Sequence, residues 1–300
     1  MRQSSLQALG AQVPTLALLL IAGVSVLPRT GRAQDPCEPG YLRDRGAGVA
    51  SSLTGIYIQK GELLVHPFFE YVRDHNREYQ PKDFGVGPDV DFRGRSRRQA
   101  GQLFLGYGVT DWLALEFEGA YLRETLRKSP RDTFPTPTKI EESGITDLEA
   151  QVRLRPLRET ARRPEVFAFL EVTARAQARK LLIGDPDWDL RPGIGLTRGF
   201  SWGTLTARVT GEYNRAGKNL DFGEVALGYL KRLHPAWRVY LGIEGGEGGA
   251  MDEWELIPSV QWSPLPAILV RLESPLGLSS KAADWSPQFG LVFTRPARHP

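Results

Sequence analysis

The sequence predicts an all-β chain: a single antiparallel up-and-down transmembrane β-barrel of about 12 strands. Three observations carry that expectation. Successive segments of about ten residues alternate apolar with polar, and acids and bases gather on the same face. Their connections sort into short and long in turn. Aromatic residues fall near the segment ends. A soluble sandwich would also alternate, turning its apolar face to a second sheet, but it supplies no reason for the connections to sort.

The stretch 99–121 shows the pattern most clearly. Leu103, Leu105, Tyr107 and Val109 point one way, and Gln102, Phe104, Gly106 and Gly108 point the other. Beyond the turn Gly108-Val109-Thr110-Asp111, one face holds Leu113, Leu115, Phe117 and Tyr121, the other Glu116 and Glu118. Such a hairpin suits lipid on its apolar side and a lumen on its mixed side.

The first strand opens at Glu62 and runs through Val72. The others are expected near 99–109, 112–123, 146–156, 165–175, 188–199, 202–213, 221–232, 236–245, 252–262, 266–274 and 285–295, with ten or fourteen strands as alternatives. Strand 146–156 sets Leu148, Ala150, Val152 and Leu154 against Asp147, Glu149, Gln151, Arg153 and Arg155; strand 202–213 repeats the pattern with Arg208 and Glu212. Connections after strands two, six, eight and ten are tight, whereas Arg73 to Arg98, Glu124 to Ser143 and Ala176 to Asp187 read as long polar loops. Short periplasmic turns facing longer outer loops are the habit of outer-membrane barrels. Trp112, Tyr121, Trp188, Trp202, Tyr213, Trp237, Trp254, Trp262 and Trp285 fit interfacial rings. Against this, Pro67, Pro192 and Pro258 lie inside strands, each requiring a bulge or a nearby strand boundary. The chain also runs past its final Phe293 through Arg295-Pro296-Ala297-Arg298-His299-Pro300, a displaced ending for this class.

The ends set the domains. Residues 1–33 have the form of a secretory signal peptide: Arg2, an apolar run from Val13 to Leu27, then small residues at Gly31 and Ala33. A polar, Gly-rich leader over 34–61 is expected inside the barrel or on its periplasmic side, with the barrel over 62–295 and a tail over 296–300. Losing Arg2, Arg29 and Arg32 takes the 38 basic residues to 35, equal to the 35 acidic ones, so charge argues for no nucleic-acid partner. The single cysteine, Cys37, excludes an internal disulfide, and Gln34-Asp35-Pro36 before it is unlike a lipobox. The expected partners are outer-membrane lipids, small-molecule solutes and the barrel-assembly machinery.

Gly61-Glu62-Leu63, Gly106-Tyr107-Gly108-Val109-Thr110-Asp111 and Gly144-Ile145-Thr146-Asp147-Leu148 open strands or fill turns in a pattern that covers most of the mature chain. In it the chain resembles the outer-membrane family associated with meta-pathway phenol degradation. The resemblance implies a channel or transporter for small molecules, aromatic or hydrophobic compounds among them. It supplies no site residues.

The residues themselves point to no enzyme, metal or cofactor. No His/Cys cluster has zinc spacing. Asp185-Pro186-Asp187-Trp188-Asp189 lacks the glycine and final glutamate of a calcium loop. Gly245-Gly246-Glu247-Gly248-Gly249 lacks the lysine of a phosphate cradle. An outer-membrane lipid hydrolase would need a histidine beside a serine, with His66 and Ser259 the pair to watch. What remains is the inward charge: Glu116, Glu118, Glu149, Arg153, Arg155, Arg175, Arg208, Glu212, Glu253, Glu255 and Arg271 are expected to line the lumen. They read either as a pore lining that selects by charge or as a neutralising network that plugs a structural barrel. Twelve strands give a backbone diameter of roughly 24 Å and a passage of ~10 Å before long side chains enter it.

Overall fold

A computed structural model describes residues 39–184, 187–214, 219–246 and 253–295. The proposed signal peptide, Cys37 and the 296–300 tail lie outside the described residues, as do Asp185, Pro186 and residues 247–249 of the glycine loop.

The outward faces are Leu, Val, Ile, Phe and Tyr, left exposed at positions such as Leu103, Phe117, Leu170, Ile194, Leu227 and Phe289. A continuous exposed apolar belt of this kind has no place in water and suits a lipid surround. Behind it, among the described residues, twelve antiparallel strands close into a barrel. A two-stranded hairpin, β1 (Val49–Ala50) and β2 (Tyr57–Ile58), precedes them. The barrel then runs β3 (Leu63–Tyr79), β4 (Phe92–Gly108), β5 (Leu113–Arg127), β6 (Lys139–Leu157), β7 (Glu165–Thr173) and β8 (Asp189–Phe200). It continues with β9 (Gly203–Asn214), β10 (Asn219–His234), β11 (Trp237–Gly245), β12 (Trp254–Leu265), β13 (Ile268–Glu273), β14 (Leu276–Gly277) and β15 (Gln288–Arg295). β13 and β14 are two parts of one strand, both pairing with β12. Every neighbour in the chain is a neighbour in the sheet, and β15 returns to β3 to close the ring.

Tight turns join β4 to β5, β8 to β9, β10 to β11 and β12 to β13 at the end that also holds the start of β3 and the end of β15. Near that end Trp202 stacks between Phe200 and Tyr229, at 4.8 and 5.9 Å, and Trp237 stacks on Trp262 at 5.7 Å. Tyr121, Trp188, Phe222 and Trp285 are exposed toward the opposite end. Leu113 to Tyr121 spans about 26 Å of strand, or roughly 20 Å along an axis tilted by about 40°, comparable with a bilayer's apolar band.

Two expectations need correction. Residues 73–79, 92–98, 124–127 and 139–143 are strand, because β3 to β6 run 17, 17, 15 and 19 residues. The ladder simply continues above the lipid, where apolar alternation is no longer required on the outside. Tyr79, Phe92 and Phe134 cap this overhang, and Tyr79 donates to Asp132 at 2.9 Å.

Within their own strands the prolines need neither a register shift nor a strand end. Pro67 stays in register with Leu103 of β4, while on its β15 side the ladder lacks partners only at His66 and Pro67. The register places Pro67 opposite Leu291, whose carbonyl would ordinarily receive the missing N–H. His66 supplies the substitute: its Nδ1–H donates to that carbonyl at 3.2 Å, and its ring stacks on Phe68 at 4.7 Å. Gly290 leaves the space, since a Cβ there would strike the imidazole. Pro192 and Pro258 likewise face gaps in one ladder, toward β9 and toward the break between β13 and β14.

A double-mutant cycle tests the substitution. His66→Ala is expected to cost about 1–3 kcal/mol, the penalty for a buried carbonyl left unpaired. In a Pro67→Ala background the restored N–H should remove most of that cost. Equal losses in both backgrounds, measured by urea unfolding in detergent, would refute the substitution.

Candidate functional site

The leader builds the floor of the lumen. Residues 39–61 fold inside the short-turn end of the barrel, touching the wall on many sides. Val49, Leu53, Ile56 and Ile58 are buried against Leu64, Phe104, Ala114, Leu269 and Val292, inward-facing residues of β3, β4, β5, β13 and β15. An apolar patch on a lumen wall is unfavourable in water, so the hairpin and this patch cover one another. Polar ties fix the rest. Arg45 Nη2 donates to Glu159 at 2.7 Å and Nη1 to Glu165 at 3.1 Å, all three being buried. Thr54 Oγ1 donates to Glu273 at 2.9 Å, its carbonyl accepts from Gln261 at 3.0 Å, and Arg271 also reaches its hydroxyl. The Ser52 N–H meets the Glu116 carboxylate at 3.2 Å. Gly199 lets the Tyr41 backbone lie directly on the wall, where any Cβ would collide with the Tyr41 carbonyl.

Above this floor the lumen is open. A cavity of about 610 Å³ extends from Ser52 and Arg153 to Gly245, Gly246 and Glu253 at the long-loop ends of β11 and β12. At roughly 30 Å³ per molecule that is room for about 20 waters. Eight carboxylates line it, from Glu118, Glu149, Glu171, Glu212, Glu224, Glu244, Glu253 and Glu255, against four arginines, Arg98, Arg153, Arg191 and Arg208. Four acids are left over, an excess that a neutralising network, one of the two readings of the sequence, would not leave. Arg208 is held between Glu224 at 2.5 Å and Glu244 at 2.9 Å. Arg153 lies over the Phe169 ring at 4.8 Å and 3.6 Å from Glu116. A gap of about 50 Å³ continues downward between the hairpin and Thr206, Ala226 and Gly228 of the wall, sharing Ser52, Arg153 and Arg208 with the cavity above.

Of the residues expected to line the lumen, Glu118, Glu149, Arg153, Arg208, Glu212, Glu253 and Glu255 border this cavity. Glu116 and Arg271 point inward but are engaged by the leader. Arg155 is buried lower, 3.5 Å from Glu165 and bonded to the Gly48 carbonyl. Arg175 lies past the end of β7, exposed and away from the cavity.

Sequence reasoning missed Glu224, Arg98 and the leader's Arg45 and Thr54. An irregularity between Phe222 and Val225 shifts the alternation of β10 and hides which face Glu224 occupies. Arg98 sits at the start of the overhang that reads as loop. His66 and Ser259 do not form a catalytic pair: the imidazole is committed to Leu291, and among the described residues no histidine hydrogen-bonds a serine. No metal-binding group of three or more His, Cys, Asp or Glu occurs among the described residues.

No family model matches the chain, and no curated protein matches it either. Solved structures do. The COG4313 outer membrane channel from Pseudomonas putida F1 aligns with a TM-score of 0.58 at 13% identity, covering 79% of this chain and 97% of that one. The likeness is one of fold. The toluene transporter TbuX of Ralstonia pickettii aligns at a TM-score of 0.45 and 9% identity, over 80% of this chain and 90% of its own. The translocator domain of the Neisseria meningitidis autotransporter NalP aligns at 0.43 and 10% identity, over 78% and 88%. The first of these alignments places the barrel in the same architecture as that outer-membrane channel, at the level of the fold.

Proposed function

We propose that the chain is an outer-membrane channel or transporter for small water-soluble molecules, with a preference for cations and an N-terminal segment as its constriction. The observation that carries the reading is the cavity of about 610 Å³, whose lining holds eight carboxylates and four arginines. A low-dielectric wall bearing excess negative charge concentrates cations and repels anions. The narrow gap beside the hairpin continues the route, bordered on the wall side by Thr206, Ala226 and Tyr240. Aromatic solutes, which the family resemblance implies, would meet one ring, Phe169, in the cavity lining. A purely structural barrel has no use for so large a polar void, and no catalytic pair is needed by this reading.

Recording the refolded chain in a planar bilayer under a salt gradient tests it. Discrete conductance steps with a reversal potential of the sign given by cation flow are the expected result. Membrane insertion with no conductance, or flow favouring anions, would overturn the reading.

A further inference from the structure

Above the outer aromatic ring, the outward face of the β3–β6 overhang changes character. Past Tyr71 on β3 comes Arg73; past Tyr121 on β5 come Arg123 and Arg127; β4 contributes Arg95 and Arg97, and β6 contributes Lys139. All six are exposed. The ladder sets several directly opposite one another: Arg73 against Arg97, Arg95 against Arg127, and Arg127 against Lys139. Like charges in opposed positions repel, so a sheet gains nothing internal from this arrangement. Protein carboxylates answer only part of it. Glu141 pairs with Arg123 and Lys139, and His75, which Arg73 contacts, is held by Asp284 at 2.6 Å. Arg95, Arg97 and Arg127 make no ion pair or hydrogen bond to other described side chains.

Five of the six cations are arginine, whose planar fork matches phosphate oxygens two at a time. Their height matters as much as their charge. They begin at the ring itself, Arg73 directly opposite Trp285 and Arg123 two residues past Tyr121, where acyl chains give way to headgroups. We propose that this face is a docking shelf for the phosphorylated headgroups of outer-leaflet lipid, a glycolipid whose phosphates lie next to its acyl chains. The belt below takes the chains, and the shelf above takes the phosphates. The inference rests on the barrel crossing a membrane with its long loops outward, and is independent of whether the lumen conducts.

The test uses the full mature barrel in zwitterionic detergent, titrated with diphosphoryl lipid A, with the same lipid after phosphate removal, and with inorganic phosphate. The triple variant Arg95→Gln, Arg97→Gln, Arg127→Gln is compared with the parent. Diphosphoryl lipid A should bind the parent, and the triple variant should lose on the order of 10- to 100-fold in affinity. Heat-modifiable migration on gels should be unchanged, since these side chains are exposed. If the triple variant does not fold, Arg97→Gln alone should still weaken binding several-fold, and binding to the parent should fall steeply between low and high salt. Equal binding of the dephosphorylated lipid, or unaltered binding by the folded variants, would overturn the proposal. Inorganic phosphate competing at concentrations comparable to the lipid would overturn it too, by showing a free-anion site.

Discussion

Deleting residues 39–61 should raise single-channel conductance roughly three- to tenfold, because the segment fills the short-turn end of a barrel about 24 Å across its backbone. The hairpin and the apolar wall patch are mutually buried, so deletion exposes Leu64, Phe104, Leu269 and Val292 to lumen water and lowers thermal stability as well. A gentler variant separates the two effects. Arg45 is the central polar tie, and Arg45→Ala removes two hydrogen bonds to buried carboxylates. Breaking such a buried pair costs about 3–5 kcal/mol, which would increase the time the segment spends displaced on the order of 100-fold or more. The expected record is a mostly low-conductance trace with bursts at the level of the deletion variant. A deletion variant that folds and conducts no better than the parent would show that the segment does not obstruct the route.

The second expectation concerns ion preference. Glu149, Glu212, Glu253 and Glu255 border the cavity, and Arg208 is clamped by Glu224 and Glu244. Replacing all four by glutamine removes the excess of four negative charges while leaving the Arg208 clamp in place. A cation-to-anion permeability ratio of roughly five to ten should fall close to one. Arg208→Gln works in the opposite direction, freeing Glu224 and Glu244 and raising the ratio. Reversal potentials measured in asymmetric salt read both changes directly. If the fourfold variant keeps the parent's ratio, the charges that select lie elsewhere in the barrel.

The barrel was legible because lipid enforces strict alternation on residues such as Leu113, Leu115 and Phe117, and a one-residue slip would bury charge in the membrane. That rule lapses above the aromatic ring. Arg93, Arg95, Arg97 and Arg127 follow no apolar rhythm, and the overhang of β3 to β6 therefore reads as loop although its backbone is paired on both sides of one bulge. Inward positions such as Glu149 and Arg153 were recognisable from their partners across the alternation. The way they divide between cavity and plug was not. Glu116 and Arg271 differ from Glu149 and Glu212 only because a distant hairpin reaches the former. Nothing in the local pattern around Thr54 or Arg45 announces contacts to Glu273 and Glu159, more than a hundred residues away. Apolar inward residues such as Phe104 and Leu64 were the one available hint, since a hydrated lumen would have no reason to keep them.

The junction of the first and last strands carries a consequence of its own. β15 is eight residues long, and its ladder to β3 is interrupted around His66 and Pro67. This line is where the two ends of the barrel's chain meet, and the ring is complete only when it is fastened. Val292 and Leu64, one from each bank of that line, sit in the same buried cluster as the leader's Val49 and Ile58. The leader therefore works as a rivet across the closing line, pressed from within. Whatever loosens the obstruction also slackens the fastening, and the chain has made throughput and hoop strength draw on the same few side chains.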